Sequence, residues 1–277
     1  MTDKIPRNVK PMRKPRPGIL WHYTTIDVIE HFLKGEISFS HYKFLNDDSE
    51  LSYGMQLLRD ISESLNSEDL KKFIWGGAVE GLLNDAYLFC LSRDGDNLYQ
   101  WRSYTQNGGV AVGFSRSELC YAIQEGFTSE EWSSYADRIK SNLLICGYRD
   151  DFARRVVLRL KRGANVIHLS PCGGGCKGLG MYIEKMRRVV LSQKNPSFRE
   201  EQEERFVVTG VPRELVSIIN GKPRIAICSQ DVSKSISCVR LSPHGDKERN
   251  RLFVEILRDK YKLDFKIEQS YSSYNGR

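Results

Sequence analysis

The stretch from Gly18 to Glu50 constrains this chain most. Ile19, Leu20 and Trp21 make a short apolar run that ends on His22, Tyr23 and Thr24, the pattern of a buried strand delivering polar side chains to a cleft at its end. Thr24 or Thr25 can cap a following helix, because a hydroxyl oxygen accepts from a free amide of the first turn. Ile26, Ile29, Phe32 and Leu33 then share one helical face before Gly35 stops it. Ile37 to Phe39 reads as a second strand. Residues 46–50 crowd three carboxylates and an amide beside that strand's end, more polarity than a turn requires. A turn-forming reading of Asn46 and Asp47 therefore stands beside a ligand-binding one that includes Glu50.

Further along, Leu51, Met55, Leu58, Ile61 and Leu65 recur at helical spacing, and Ser67-Glu68-Asp69 opens another helix. Tyr87 to Leu91 is dense enough in apolar residues for a central strand ending at Ser92, with Cys90 as core. After the turn at Asp94 to Asn97, Leu98, Trp101 and Tyr104 fall at i, i+3 and i+6, either packing or a platform for a flat ring. Gly108 to Phe114 is a strand whose small residues permit close backbone approach. No Lys-Ser or Lys-Thr follows it and the G-x-G-x-x-G spacing is absent, which excludes a phosphate loop and a dinucleotide fingerprint. Residues 115 to about 138 look helical, 143–148 strand-like and 151–162 helical and basic, so a helical insertion is expected over about 115–192. His168, Cys172 and Cys176 flank a glycine loop but lack a fourth zinc ligand unless His244, Cys228 or Cys238 folds in, and no metal is expected.

Glu200, Glu201, Glu203 and Glu204 stand just before Arg205 to Val208, a strand by composition. In extended geometry Glu201, Glu203 and Arg205 share a face, so two carboxylates and a guanidinium project together. The alternative is a local ion pair, worth little on a surface. Asn220-Gly221 joins strands at 214–219 and 224–228 as a hairpin, a helix follows over 246–260 and a last strand over 263–267. Together these predict one α+β domain over 18–277, with a mainly antiparallel split sheet and inserted helices.

The chain has 277 residues, 40% of them hydrophobic, enough for a full core. No apolar run approaches the roughly 20 residues of a membrane helix. Seven cysteines without a regular framework or an export signal suggest reduced thiols, a soluble cytoplasmic protein and no membrane partner. Of the net charge of +7, residues 1–17 hold +5, leaving a nearly neutral body. Their four prolines favour an extended arm, which is either a solvated tail or a polyanion contact. A second basic stretch, 149–194, offers a further track for nucleic acid.

His22-Tyr23-Thr24 after an apolar strand, Asn46-Asp47-x-x-Glu50, Phe89-Cys90-Leu91-Ser92, Trp101-x-x-Tyr104 and Phe198-x-x-Glu201-x-Glu203-x-Arg205 resemble one large bacterial family of unknown function, numbered two-nine-seven-one. That family in turn resembles, more distantly, the ADP-ribosyltransferase fold. The resemblance implies NAD as substrate, an acceptor that is a nucleic acid or a protein, and a role as a bacterial toxin or defence effector. It implies Glu203 as the carboxylate that stabilises an oxocarbenium-like ribose, Glu201 orienting the acceptor, and His22, with Tyr23 and Thr24, at the ribose. Trp101 or Tyr104 would stack on nicotinamide, Arg102 or Arg205 would meet phosphate, and Asn46, Asp47 and Glu50 would bind substrate. Two other classes fit the same residues: a nucleotide or nucleic-acid binding module without chemistry, and a Mg-dependent nuclease using Asp47, Glu50 and the late glutamates. The transferase reading requires His22, Trp101 or Tyr104, and Glu203 to line one pocket.

Overall fold

A computed structural model describes residues 18–45, 49–64, 81, 83, 85–105, 108–148, 184 and 186–272. The basic arm, Asn46, Asp47, the helix expected from Ser67, the basic helix at 151–162, and His168, Cys172 and Cys176 lie outside the described residues.

Among the described residues, ten strands form one sheet: β1 (Ile19–Thr25), β2 (Glu36–His41), β3 (Tyr87–Ser92), β4 (Gly109–Ser115), β5 (Lys140–Ile145), β6 (Glu203–Thr209), β7 (Ser217–Ile219), β8 (Lys222–Cys228), β9 (Ile236–Leu241) and β10 (Lys266–Gln269). Every strand pairing is antiparallel except that of β9 with β10. The architecture is thus mixed α and β with a mostly antiparallel open sheet.

β3 organises it. Along one edge β3 pairs with β6 from Tyr87↔Val208 to Ser92↔Glu203. Along the other it meets β2 only at Tyr87 and Leu88, and β1 only at Ser92. β1 and β2 therefore diverge beside Phe89 to Leu91, and the sheet forks into one limb of β1, β4, β9 and β10 and another of β2, β8 and β7.

Because strand side chains alternate, the two faces of this sheet carry different residues. Leu20, Phe39, Phe89, Val112, Phe114, Phe206 and Ile225 enter the larger core on the first face. Helices α1 (Ile29–Leu33), α4 (Arg116–Gly126) and α6 (Lys247–Lys260) cover it with Phe32, Leu119, Ile123 and Val254. On the second face, Trp21, Tyr23, Ala111 and Cys238 pack against Trp101 of α3 (Leu98–Tyr104). Leu88 and Val207 pack there against Met55 and Leu58 of α2 (Ser49–Ser64) and against Val190. Each such fully buried aliphatic or aromatic side chain is worth roughly 1.5–3 kcal/mol.

Most elements stand where the sequence puts them, and the differences have causes. Thr25 precedes the 3-10 turn Ile26–Val28 with no side-chain capping bond, so the expected hydroxyl cap is not formed. The helical run after Ser115 divides into α4 and the short α5 (Glu130–Ser133). Within the span expected as a helical insertion, β5 pairs with β6 and belongs to the sheet. β9 escapes the sequence reading because a register shift opposite Gly113 and Phe114 sends Ile236 and Cys238 into different cores although they are two residues apart. The hairpin is as expected: Asn220 (φ 51°) and Gly221 (φ 72°) both adopt the left-handed backbone that a tight primed turn demands. Gly113 has the expected purpose too, since a Cβ there would sit 2.8 Å from the Trp21 ring.

Candidate functional site

The late acidic motif forms a buried cluster where β6 begins. The 3-10 turn Pro196–Glu201 ends at Gln202 in the left-handed region (φ 46°), and this reversal brings Glu201 to the side on which Glu203 projects. Lys194 Nζ donates to Glu201 and, at 2.5 Å, to Glu203 Oε2. Arg205 grips the other Glu203 oxygen through Nε at 2.7 Å and Nη2 at 2.6 Å. The Cys90 thiol also hydrogen-bonds the Glu203 carboxylate, and the Tyr148 hydroxyl accepts from the Glu203 amide at 2.7 Å. Glu201, Glu203, Lys194 and Arg205 are all at most 4% exposed, so two carboxylates face two cations out of water.

Loops from β3 and α3 hold this cluster in place. Ser92 Oγ donates to the Glu201 carbonyl at 2.8 Å and Asn97 Nδ2 to the Glu200 carbonyl at 2.5 Å. Asn97 also caps α3 by accepting from the Gln100 amide. α3 then carries Tyr104 to the edge of the cluster, where its half-buried hydroxyl is pushed up by burial and by the neighbouring Glu201, Cys90 and Glu203. Lys194 Nζ lies 5.1 Å from the Phe198 ring centre. Arg102 of α3 and Arg199 of the Pro196–Glu201 turn are exposed.

The two carboxylates titrate in opposite directions. Burial pushes Glu201 up to about 7, against the pull of the Lys194 charge it shares. Burial also acts on Glu203, but Arg205 and Lys194 together more than offset it and hold that carboxyl well below the usual range. Glu203 is thus ionised and Glu201 is the member that can carry a proton near neutral pH.

Not all of the expected site residues gather here. Tyr104, Glu201, Glu203 and Arg205 do. His22 does not: Trp21 faces Ser92 and Ser92 faces Glu203 in register, so Trp21 shares Glu203's face and His22 lies on the opposite one. Its ring stacks on Phe89 at 4.7 Å and meets Phe32 edge-on at 5.3 Å. Its Nδ1–H donates to the Cys90 carbonyl at 2.9 Å. Burial lowers its pKa to about 4, so the ring is neutral. The expected single pocket of His22, Trp101 or Tyr104, and Glu203 is therefore not formed: Tyr104 reaches the cluster, and the alternation of β1 takes His22 to the other face.

Trp101 is fully buried, meets Tyr23 edge-on at 4.7 Å and donates Nε1–H to Asp96 at 2.8 Å, so it is core rather than a platform. Tyr23 is a brace: its hydroxyl donates to the Asp94 carbonyl and accepts from the Asn97 amide. Thr24 is buried beside it in β1, Arg102 is exposed on α3, and Glu50 lies in α2. Lys194 and Tyr148 are the members that sequence reasoning missed. A lysine in a polar loop reads as solvent-facing, and its only signal is its closeness in sequence to Glu201 and Glu203. Among the described residues no group of three His, Cys, Asp or Glu side chains is placed to hold a metal ion, and no helix is long and apolar enough to cross a membrane.

Residues 100–206 match the model of a family described as "Protein of unknown function (DUF2971)". The match contains Tyr104, Tyr148, Lys194, Glu201, Glu203 and Arg205, and leaves His22 and Cys90 outside. A search of curated proteins gave no match. A search of solved structures gave none either. From just before Trp101 to just after Arg205, then, this chain carries the pattern of the family of unknown function numbered two-nine-seven-one.

Proposed function

We propose that the chain is an enzyme of glycosyl transfer, using NAD as donor toward a nucleic-acid or protein acceptor, with its centre at Glu201, Glu203, Lys194 and Tyr104. The observation that carries this reading is the pair of buried carboxylates sharing one lysine at the edge of a tyrosine. Two carboxylates driven apart in protonation are what cleavage of a glycosidic bond uses: an ionised one to stabilise the positive ribose and a protonated one to exchange a proton. In this reading Glu203 stabilises the oxocarbenium-like state and Glu201 moves the proton between acceptor and solvent. Lys194 balances whichever charge results, and Tyr104 replaces Trp101 as the ring beside the nicotinamide. The exposed arginines 102 and 199, on the helix and the turn that carry Tyr104 and Glu201, suit a phosphate-bearing ligand. The shared pocket of His22 and Glu203 that the transferase resemblance required is not formed, so this reading gives up the His22 contact to ribose and stands on the carboxylate pair alone; the His22 bond to the Cys90 carbonyl positions the strand from which Cys90 meets Glu203.

A second reading, a nucleotide-binding module without chemistry, is favoured by one observation: both oxygens of Glu203 are already met by cations. Incubation with labelled NAD and RNA, DNA or lysate, with and without EDTA, separates the two. Transferred label or released nicotinamide, insensitive to EDTA and lost in Glu203→Gln, is the expected result. NAD binding without any product establishes the module, and EDTA-sensitive cleavage of nucleic acid would point to the nuclease.

A further inference from the structure

Across the fork from the acidic cluster stands a guanidinium to which no described residue brings an anion. Arg224 of β8 alternates with Ile225 and Ile227, which enter the first-face core, so Arg224 lies on the second face with Glu203 and Cys90. It pairs in register with Ser40 of β2, and Ser38 lies diagonally beside it on that face. Both side chains are partly buried, and Arg224 Nε and Ser38 Oγ are shut off from solvent with no hydrogen-bond partner. Among the described residues no carboxylate pairs with Arg224. Glu36, the nearest acid on β2, is engaged by His31 at 2.7 Å. The Arg224 charge is nonetheless close enough to the fork to help depress His22.

A half-buried cation and a buried hydroxyl left unpaired are costly unless something supplies acceptors. A planar guanidinium matches two oxygens of one tetrahedral anion, and a serine hydroxyl can donate to a third. We propose that Arg224 and Ser38 form an anion subsite at the fork of the sheet that takes the diphosphate of a nucleotide ligand. The identity of the anion as a nucleotide diphosphate rests on the reading above. The subsite would place the phosphates on the β2–β8 limb while the ribose end reaches the cluster on the β3–β6 side.

Calorimetric titration of the full chain with inorganic pyrophosphate and with ADP, in phosphate-free buffer, tests it without any turnover. The wild type is expected to bind both. Arg224→Gln should weaken each by about tenfold or more, the scale on which about 1.4 kcal/mol is read, and Ser38→Ala should weaken each by several fold. Glu203→Gln should bind them unchanged. Because no carboxylate among the described residues pairs with Arg224, Arg224→Gln should melt no lower than wild type without ligand. The proposal is overturned if the wild type binds neither probe, or if Arg224→Gln binds as well as wild type. Should Arg224→Gln prove unstable, the proposal fails through the melting result, and Ser38→Ala still reads the binding. Failure of the transferase reading looks different: NAD is not turned over while pyrophosphate binding stays sensitive to Arg224.

Discussion

Glu203 and Glu204 are neighbours in β6 and live in opposite circumstances. Glu204 turns to the first face and is met by Arg116, the first residue of α4, through two parallel bonds of 2.6 Å. Arg93 stands 3.9 Å away. Every Glu204 oxygen has its own guanidinium N–H, a closed bidentate pair that fixes α4 to the sheet. On the other face Glu201 and Glu203 divide Lys194 between them, and only Glu203 has Arg205 in addition. Burial is similar on both faces, so the difference is one of distribution: both cations of the cluster reach Glu203 and only Lys194 reaches Glu201. Where each carboxylate has a whole cation, charge is locked; where two share one, burial wins at one member and a proton becomes movable.

The largest expected effect breaks the closed pair. Glu204→Ala leaves Arg116 charged and unpaired in the core and should cost about 3–5 kcal/mol, read from urea unfolding. Arg116→Met with Glu204→Leu should recover most of that loss. If Glu204→Ala costs no more than a surface substitution, the pair does not hold α4 to the sheet.

Next comes turnover, which should separate the faces. Glu203→Gln is expected to lower the rate of NAD consumption by about a hundredfold or more, the cost of one preorganised electrostatic group, while NAD affinity changes little. It should also reduce stability, because Arg205 loses its carboxylate. Glu204→Gln should reduce stability without lowering turnover per folded molecule. Equal loss of turnover in both variants would reduce the cluster to scaffold.

The smallest effect is a pair of opposing pH slopes. The carboxyl of Glu201 is raised from 4.5 to about 7 in the folded chain, so the folded state holds a proton that the unfolded state releases, and its contribution falls as pH rises from about 4.5 to about 7. His22 is lowered from 6.5 to about 4, so the unfolded state takes up a proton first, and its contribution is lost as pH falls from about 6.5 to about 4. In the wild type the two nearly offset each other in the shared window. Glu201→Gln should leave stability rising with pH there, and His22→Asn should leave it falling. Melting temperatures from pH 4 to 8 check this, and parallel curves for the two variants would contradict the assigned shifts.

Much of this architecture is legible in the residues themselves. The apolar runs at 19–21, 87–91 and 109–114 are strands because alternation and density leave no other burial, and Asn220-Gly221 sets its turn through local backbone energy. Period two also placed Glu203 and Arg205 on one face. What alternation within one strand cannot state is which face of β1 continues which face of β6. That depends on the register through β3, Trp21↔Ser92↔Glu203, and it moved His22 away from the cluster. Nor does helical spacing tell a platform from a core: Trp101 and Tyr104 are three residues apart, yet packing under Tyr23 buries the first and leaves the second at the cluster's edge. Lys194 became a site residue only when the 3-10 turn folded Glu201 back onto it. Local periodicity and turn chemistry are short-range energies written in adjacent residues, so the sequence alone determined most strands, most helices and the acidic motif. Register, the fork at β3 and the sharing of one ammonium by two carboxylates are long-range outcomes of packing, and only the tertiary structure decided them.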